Sequence, residues 1–149
     1  MDTSVFEIRE VDFGSVEYQA STELRDRVLR KPLGLKFSEV DLEKESGYRH
    51  FGLFHDQAIF ATVMIVPHPD GKSQVRQMAV DFHWQRQGIG RTLLKEVEKR
   101  LQKDGIHHLF LHSRNSAICF YRHLDYKPVG DLFTEVGIPH QKMEKALNH

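Results

Sequence analysis

Cysteine is nearly absent from this sequence. Cys119 stands alone among 149 residues, so no intrachain disulfide can form and the usual cysteine-based zinc sets are excluded. Apolar runs are short as well: none reaches the roughly 18 residues of a membrane span or has the form of a signal-peptide core, which predicts a soluble chain in a reducing, cytoplasmic setting. An excess of one charge is also missing. The 21 Lys and Arg balance the 21 Asp and Glu, so composition offers no broad positive field for a nucleic acid or a membrane surface, and the expected partner is a small molecule. Ten histidines are present, but none stands in His-Glu-x-x-His spacing, and no metal site is expected. With 40% hydrophobic residues the length suffices for one ordinary core and not for two, so residues 1–149 are expected to form one domain.

Hydrophobic periodicity gives the order of elements. Phe6-Glu7-Ile8-Arg9-Glu10-Val11 alternates as a half-buried strand does, and Val16 to Arg30 reads as a helix ending before Pro32-Leu33-Gly34. A polar helical turn is predicted around Phe37 to Glu45. Tyr48 to His55 and Ala58 to Val66 follow as a hairpin turning at Asp56-Gln57, and Pro67 to Gly71 closes the second strand. Gln74 to Val80 is the fourth strand. From Gly88 the period changes, because Ile89, Leu93, Leu94, Val97 and Leu101 recur at three to four residues along one helical face. Lys95, Glu96, Glu98, Lys99 and Arg100 are expected to be solvated on the other. His108 to His112 reads as a short strand and Ser116 to Leu124 as a short helix. Tyr126 to Thr134 and His140 to Ala146 form a final pair of strands joined around Val136-Gly137-Ile138-Pro139.

The junction of the fourth strand and the long helix carries the chemistry. Val75-Arg76-Gln77-Met78-Ala79-Val80 ends in Asp81-Phe82-His83-Trp84, after which Gln85-Arg86-Gln87-Gly88-Ile89-Gly90-Arg91-Thr92 turns into the helix. Free N–H groups of a first helical turn and the positive end of the helix dipole suit a diphosphate, and glycines let the backbone approach its oxygens. A phosphate loop of the Walker type needs Gly-Lys-Ser/Thr, which is absent. A dinucleotide fingerprint needs a third glycine where Leu93 stands.

Gln85-x-x-Gly88-x-Gly90 resembles the Q/R-x-x-G-x-G/A signature of the GNAT superfamily of N-acetyltransferases, preceded as in that family by a strand ending in an apolar-Ala-Val run. A second stretch, Ala117-Ile118-Cys119-Phe120-Tyr121-Arg122-His123-Leu124-Asp125-Tyr126, resembles the family's A-x-x-F-Y-x-x-x-G-F, with Asp125-Tyr126 in place of Gly-Phe. The resemblance implies an α/β fold whose mixed central sheet, flanked by helices, splays between strands 4 and 5 to admit acetyl-coenzyme A. It implies transfer of acetyl to a primary amine of a small molecule or peptide by direct attack, with no acyl-enzyme. It further implies that the backbone around Met78, Ala79 and Val80 bonds the pantetheine arm. The N–H groups from Gln85 through Arg91, including Arg86, Gln87 and Ile89, would hold the pyrophosphate at the helix start that ends with Thr92. Ala117 and Phe120 would border the cofactor, and Tyr121 would be the general acid. Many members pair as dimers.

Other assignments rest on residue type and stay open. Asn115 stands two residues before Ala117, where relatives carry an asparagine three before, and serves either the pantetheine or the helix as an N-cap. His112, at the end of the fifth strand, is the first choice for general base because an imidazole titrates near neutrality. Asp81, His83, Glu135 and His140 are the others. Cys119 reads as a small core residue. Arg25, Arg27, Arg30 and Lys31 form a cationic cluster in which Arg27 and Arg30 are candidates for holding an acidic acceptor. The competing reading is a solvated helical face with cations near its C-terminus. At the level of the whole chain, the rival to an enzyme is a non-catalytic acyl-coenzyme A sensor or regulatory module.

Overall fold

The computed structural model describes residues 6–34 and 42–147. Most of the polar turn expected from Phe37 to Glu45 therefore lies outside the described residues. Its end is a 3-10 turn, Lys44–Gly47.

Strand β1 (Glu7–Val11) leads into helix α1 (Val16–Arg25), whose start is fixed by Ser15 in an extended conformation, its side chain accepting from the Tyr18 N–H at 3.1 Å. The helix does not run on unchanged to Arg30. It widens into a π-helical turn over Asp26–Arg30 and tightens into a 3-10 turn over Lys31–Leu33, closed by Gly34 at φ 70°. Pro32 lacks an N–H to carry the helical ladder on, although Lys31 before it is still helical at φ −55° and ψ −43°. Strands β2 (Arg49–His55) and β3 (Ala58–Pro67) form the expected hairpin. Asp56 and Gln57, at φ 48° and 68°, make its two-residue turn between paired His55 and Ala58. Then come β4 (Ser73–Val80), helix α2 (Ile89–Lys103), β5 (His108–Arg114), helix α3 (Ile118–Arg122), β6 (Lys127–Glu135) and β7 (Ile138–Ala146).

The seven strands lie in the order β1-β2-β3-β4-β5-β7-β6, antiparallel throughout except for the parallel pair β4 and β5. That pair is brief. Ser73, Gln74 and Val75 face Leu109, Phe110 and Leu111, and beyond them the two strands diverge. A bulge accompanies the divergence, because two residues of β4, Gln77 and Met78, oppose the single residue Val63 of β3, with Gln77 at φ 54°. The mixed sheet splayed between strands 4 and 5 is thus present.

Both faces of the middle strands are covered, which is why Ala61 to Val66 are all buried. The largest cluster joins Phe51, Leu53, Val63 and Ile65 to Leu93, Leu94, Val97 and Leu101 of α2, so the apolar helical face is the one the periodicity indicates. Three polar expectations change. Glu98, expected in solvent, is 7% exposed and accepts from the Tyr126 hydroxyl at 2.6 Å and Lys145 Nζ at 2.8 Å. Arg25 is equally far from the solvated cluster: it is buried and clasps Glu45 through two bonds of 2.8 and 3.0 Å. Cys119 is exposed, because the short α3 turns that side of the helix outward.

The Tyr18 hydroxyl completes the buried group by donating to Glu45 Oε1 at 2.8 Å, and burial together with that carboxylate pushes the phenol up to about 12. A folded-state value above the unfolded one means that the folded chain holds this proton more tightly. The resulting stability is complete below about pH 10 and is lost as pH rises through about 12. Unfolding midpoints in denaturant should therefore fall more steeply over that window for wild type than for Tyr18→Phe. Parallel curves would show that the phenol contributes no linkage.

Candidate active site

The turn after β4 is built to present backbone N–H groups. Asp81 Oδ1 accepts from the His83 N–H at 3.0 Å and starts the 3-10 turn Phe82–Trp84, while Gln85 Nε2 reaches back to the Val80 carbonyl at 2.9 Å. The chain then reverses through Arg86 at φ 64° and Gly88 at φ 79° before α2 begins at Ile89. The first N–H groups of a helix have no partner within it, and Gly88 at the cap offers no side-chain acceptor. Such a helix start is suited to an anion.

The two glycines serve different ends. A Cβ on Gly88 would meet nothing within 4 Å, so its requirement is conformational: L residues pay to be left-handed. A Cβ on Gly90 would lie 3.1 Å from Val80 Cγ2, 3.2 Å from Met78 Cε and 3.4 Å from Phe120 Cζ. Gly90 therefore lets α2 close on β4 and α3, a packing role distinct from the backbone approach to phosphate expected of both.

Strand alternation shows which edge of β4 is open. The Asp81 N–H donates to Phe60 O of β3 at 2.9 Å, so the backbone groups of its neighbour Val80 face away from β3, toward the gap. At the inner end of that gap lies a cleft of about 580 Å³. Its wall includes Met78 from β4, His112 and Arg114 from β5, Tyr121 from α3, and Glu135 and His140 from the last hairpin.

Tyr121 is buried, and that burial pushes its phenol well upward, an effect the nearby Arg114 guanidinium partly offsets. The hydroxyl consequently stays protonated at neutral pH. His112 Nδ1 lies 3.2 Å from Glu135 Oε1. The other oxygen of that carboxylate is 3.6 Å from Nε2 of His140, whose Nδ1 is 2.9 Å from the Ile138 carbonyl. With a proton on Nδ1 facing Glu135, the neutral His112 ring keeps its Nε2 lone pair for another group.

The remaining sequence candidates distribute as follows. Arg30 lines the cleft; Arg27 does not, and instead meets Asp81 Oδ2 at 3.2 Å. Asp81 and His83 likewise belong to the turn after β4 rather than the cleft wall. Asn115 is exposed and opens a 3-10 turn, Asn115–Ala117, whose cap position is Arg114 without a side-chain cap, so the N-cap reading is not realised. Ala117 lines the cleft, and Phe120 packs over Gly90. Arg76, Gln77 and Arg114 also line the cleft and had no motif to mark them. The only hint is that Arg76 alternates outward on β4 and Arg114 directly precedes Asn115.

The family model described as an acetyltransferase (GNAT) domain matches residues 34–147, most of the chain. This protein belongs to the GNAT acetyltransferases. Among its relatives is the uncharacterized N-acetyltransferase YitI of Bacillus subtilis, 24% identical over 140 residues, which span 89% of this chain and 94% of that protein. A solved structure from Lactobacillus plantarum shares the fold with a TM-score of 0.86 at 20% identity, covering 97% of this chain and 99% of its own. The Escherichia coli ribosomal-protein-S18-alanine N-acetyltransferase does so with a TM-score of 0.77 at 21% identity, covering 97% and 95%. At these identities the likeness establishes the fold. Among the described residues no group of His, Cys, Asp and Glu could hold a metal ion, and no helix is long and apolar enough to cross a membrane.

The uncapped helix start and the open edge of β4 suit an elongated anionic donor such as coenzyme A. In Gly88→Val the left-handed turn would have to deform, so coenzyme A should bind about tenfold more weakly or worse, the equivalent of the ~1–2 kcal/mol that left-handed geometry costs an L residue. Calorimetric titration measures this directly, and unaltered affinity would sink the loop assignment.

Proposed function

We propose that this protein is a single-domain N-acetyltransferase that moves an acetyl group from acetyl-coenzyme A to a primary amine of a small molecule or peptide, by direct attack of the amine. The observation that carries the reading is the convergence of Tyr121 and His112 on the cleft that opens where β4 and β5 part, beside the phosphate turn. Acetyl-coenzyme A supplies an activated thioester. Everything else is work for the protein's own groups.

Backbone N–H groups from Gln85 through Arg91 are suited to the pyrophosphate, and the edge of β4 around Met78, Ala79 and Val80 to the pantetheine arm. Thr92 cannot offer a free N–H, since both its N–H and its hydroxyl bond Gly88 O, at 2.9 and 2.8 Å, and it fixes the turn instead. Asn115 is exposed, and it faces no competing hydrogen bond among the described residues that would hold it from the pantetheine. Arg30 is the better placed of the two arginines proposed for the acceptor, because it lines the cleft and Arg27 does not.

Protons then need a donor and an acceptor. An amine reaches the enzyme mostly as ammonium and must lose a proton before it can attack, which His112 can accept at Nε2 while Glu135 steadies Nδ1. The departing thiolate needs a proton, which the Tyr121 hydroxyl can donate. Burial favours its neutral form, so the proton is retained until charge develops beside it.

Thiol release from acetyl-coenzyme A across an amine panel tests this reading. Tyr121→Phe should lower kcat by about a hundredfold or more, the usual scale for losing a general acid, with little change in coenzyme A affinity. Equal turnover by the two proteins would remove Tyr121 from that role. Saturable cofactor binding with no thiol release on any amine would make the protein a sensor or regulatory module instead.

A further inference from the structure

The cleft contains more positive charge than acetyl transfer to an amine requires. Arg30 comes from the turn after α1, Arg76 from β4 and Arg114 from the end of β5, so three elements distant in sequence bring arginines to the lining of one concavity. Arg114 is held there: its NH2 group donates to the Leu29 carbonyl at 3.0 Å, which ties the end of β5 to the residue preceding Arg30. Among the described residues Glu135 is the one carboxylate of that lining, and His112 and His140 already face its two oxygens at 3.2 and 3.6 Å.

The phosphates of the donor do not account for these cations. Their expected seat is the turn from Gln85 to Arg91, and none of its residues lines the cleft. Nor is an ammonium the complement, because the guanidinium groups of Arg76 and Arg114 repel a second positive charge on the acceptor. A planar carboxylate, by contrast, pairs with the guanidinium fork through two parallel hydrogen bonds.

Resting on the acetyl-transfer reading, we propose that the acceptor is a small amino carboxylate, whose carboxylate is selected by Arg76 and Arg114 while its amine faces His112. A cleft of about 580 Å³ has room for an amino-acid-sized molecule beside the end of a pantetheine arm. Polyamines and other purely cationic amines are rejected by the same charges.

Amino acids compared with their own carboxamides isolate the carboxylate. The acids should have kcat/KM about tenfold or more above the amides, as expected for charge-assisted pairing. Arg76→Gln and Arg114→Gln should erase that preference while leaving coenzyme A affinity, read by calorimetry, unchanged. Arg76 is exposed, so its replacement tests the proposal even if Arg114→Gln loses the Leu29 contact and unfolds. Acetylation of amides or polyamines as efficient as that of the acids would overturn the proposal and leave acetyl transfer standing. Calorimetric binding of amino carboxylates to the coenzyme A complex, lost in Arg76→Gln but without thiol release, would support the anion site and overturn the transferase reading.

Discussion

Everything at the site depends on the short pairing between β4 and β5. A sheet is stabilised by continuous backbone hydrogen bonding, so strands that pair at three positions and then separate leave N–H and C=O groups along an interior edge. The gap is held open from both sides. On one, the bulge at Gln77 and Met78 twists β4, and Gln85 engages the Val80 carbonyl. On the other, β5 stays paired with β7 along its whole length, from His108–Ala146 to Arg114–His140, and Arg114 anchors to Leu29. The divergence is therefore a stable feature of the sheet. An extended ligand could occupy the edge as an added strand, and its reactive end would meet side chains from both halves of the fold.

How much of this was legible in sequence follows from the range of each signal. The apolar stripe of α2, the Asp56-Gln57 turn and the Gly88 cap are local, and each is found where residue spacing puts it. Glu98 looked solvated because it lies among charged residues on the helix, but its partner Tyr126 is 28 residues away. Arg25 likewise looked like part of a basic cluster until Glu45, 20 residues on, supplied its counter-charge. No local pattern reports such pairs. The Gln77 bulge was invisible for another reason: glutamine has no preference for left-handed geometry, so nothing in its type marks the position.

The glycine motif shows the limit of reading chemistry from spacing alone. Both glycines were expected to favour an approaching phosphate, yet only Gly88 sits in the left-handed turn with open space around it. Gly90 is set by the fold, since a side chain there would separate α2 from Met78, Val80 and Phe120. The two requirements reinforce each other, because the helix start can point into the gap only if the helix lies close on β4. One short motif thus encodes a loop shape and an interhelical fit.

The protonic groups obey the same logic of placement. Tyr121 sits on a short helix whose inward side is apolar, and loss of hydration there favours the neutral phenol. Arg114 works against that effect, easing formation of the phenolate that proton donation would create. A lone buried tyrosine would be a reluctant donor, and one beside many cations would lose its proton before it was needed. The same arginine is anchored to Leu29 in the π-helical turn after α1 and lines the cleft proposed for the acceptor, so acceptor binding and proton transfer would meet at one side chain. An anionic acceptor paired with Arg114 would weaken its pull on the phenol and so raise the cost of forming the phenolate, which would give occupancy of the cleft a direct electrostatic effect on the proposed acid.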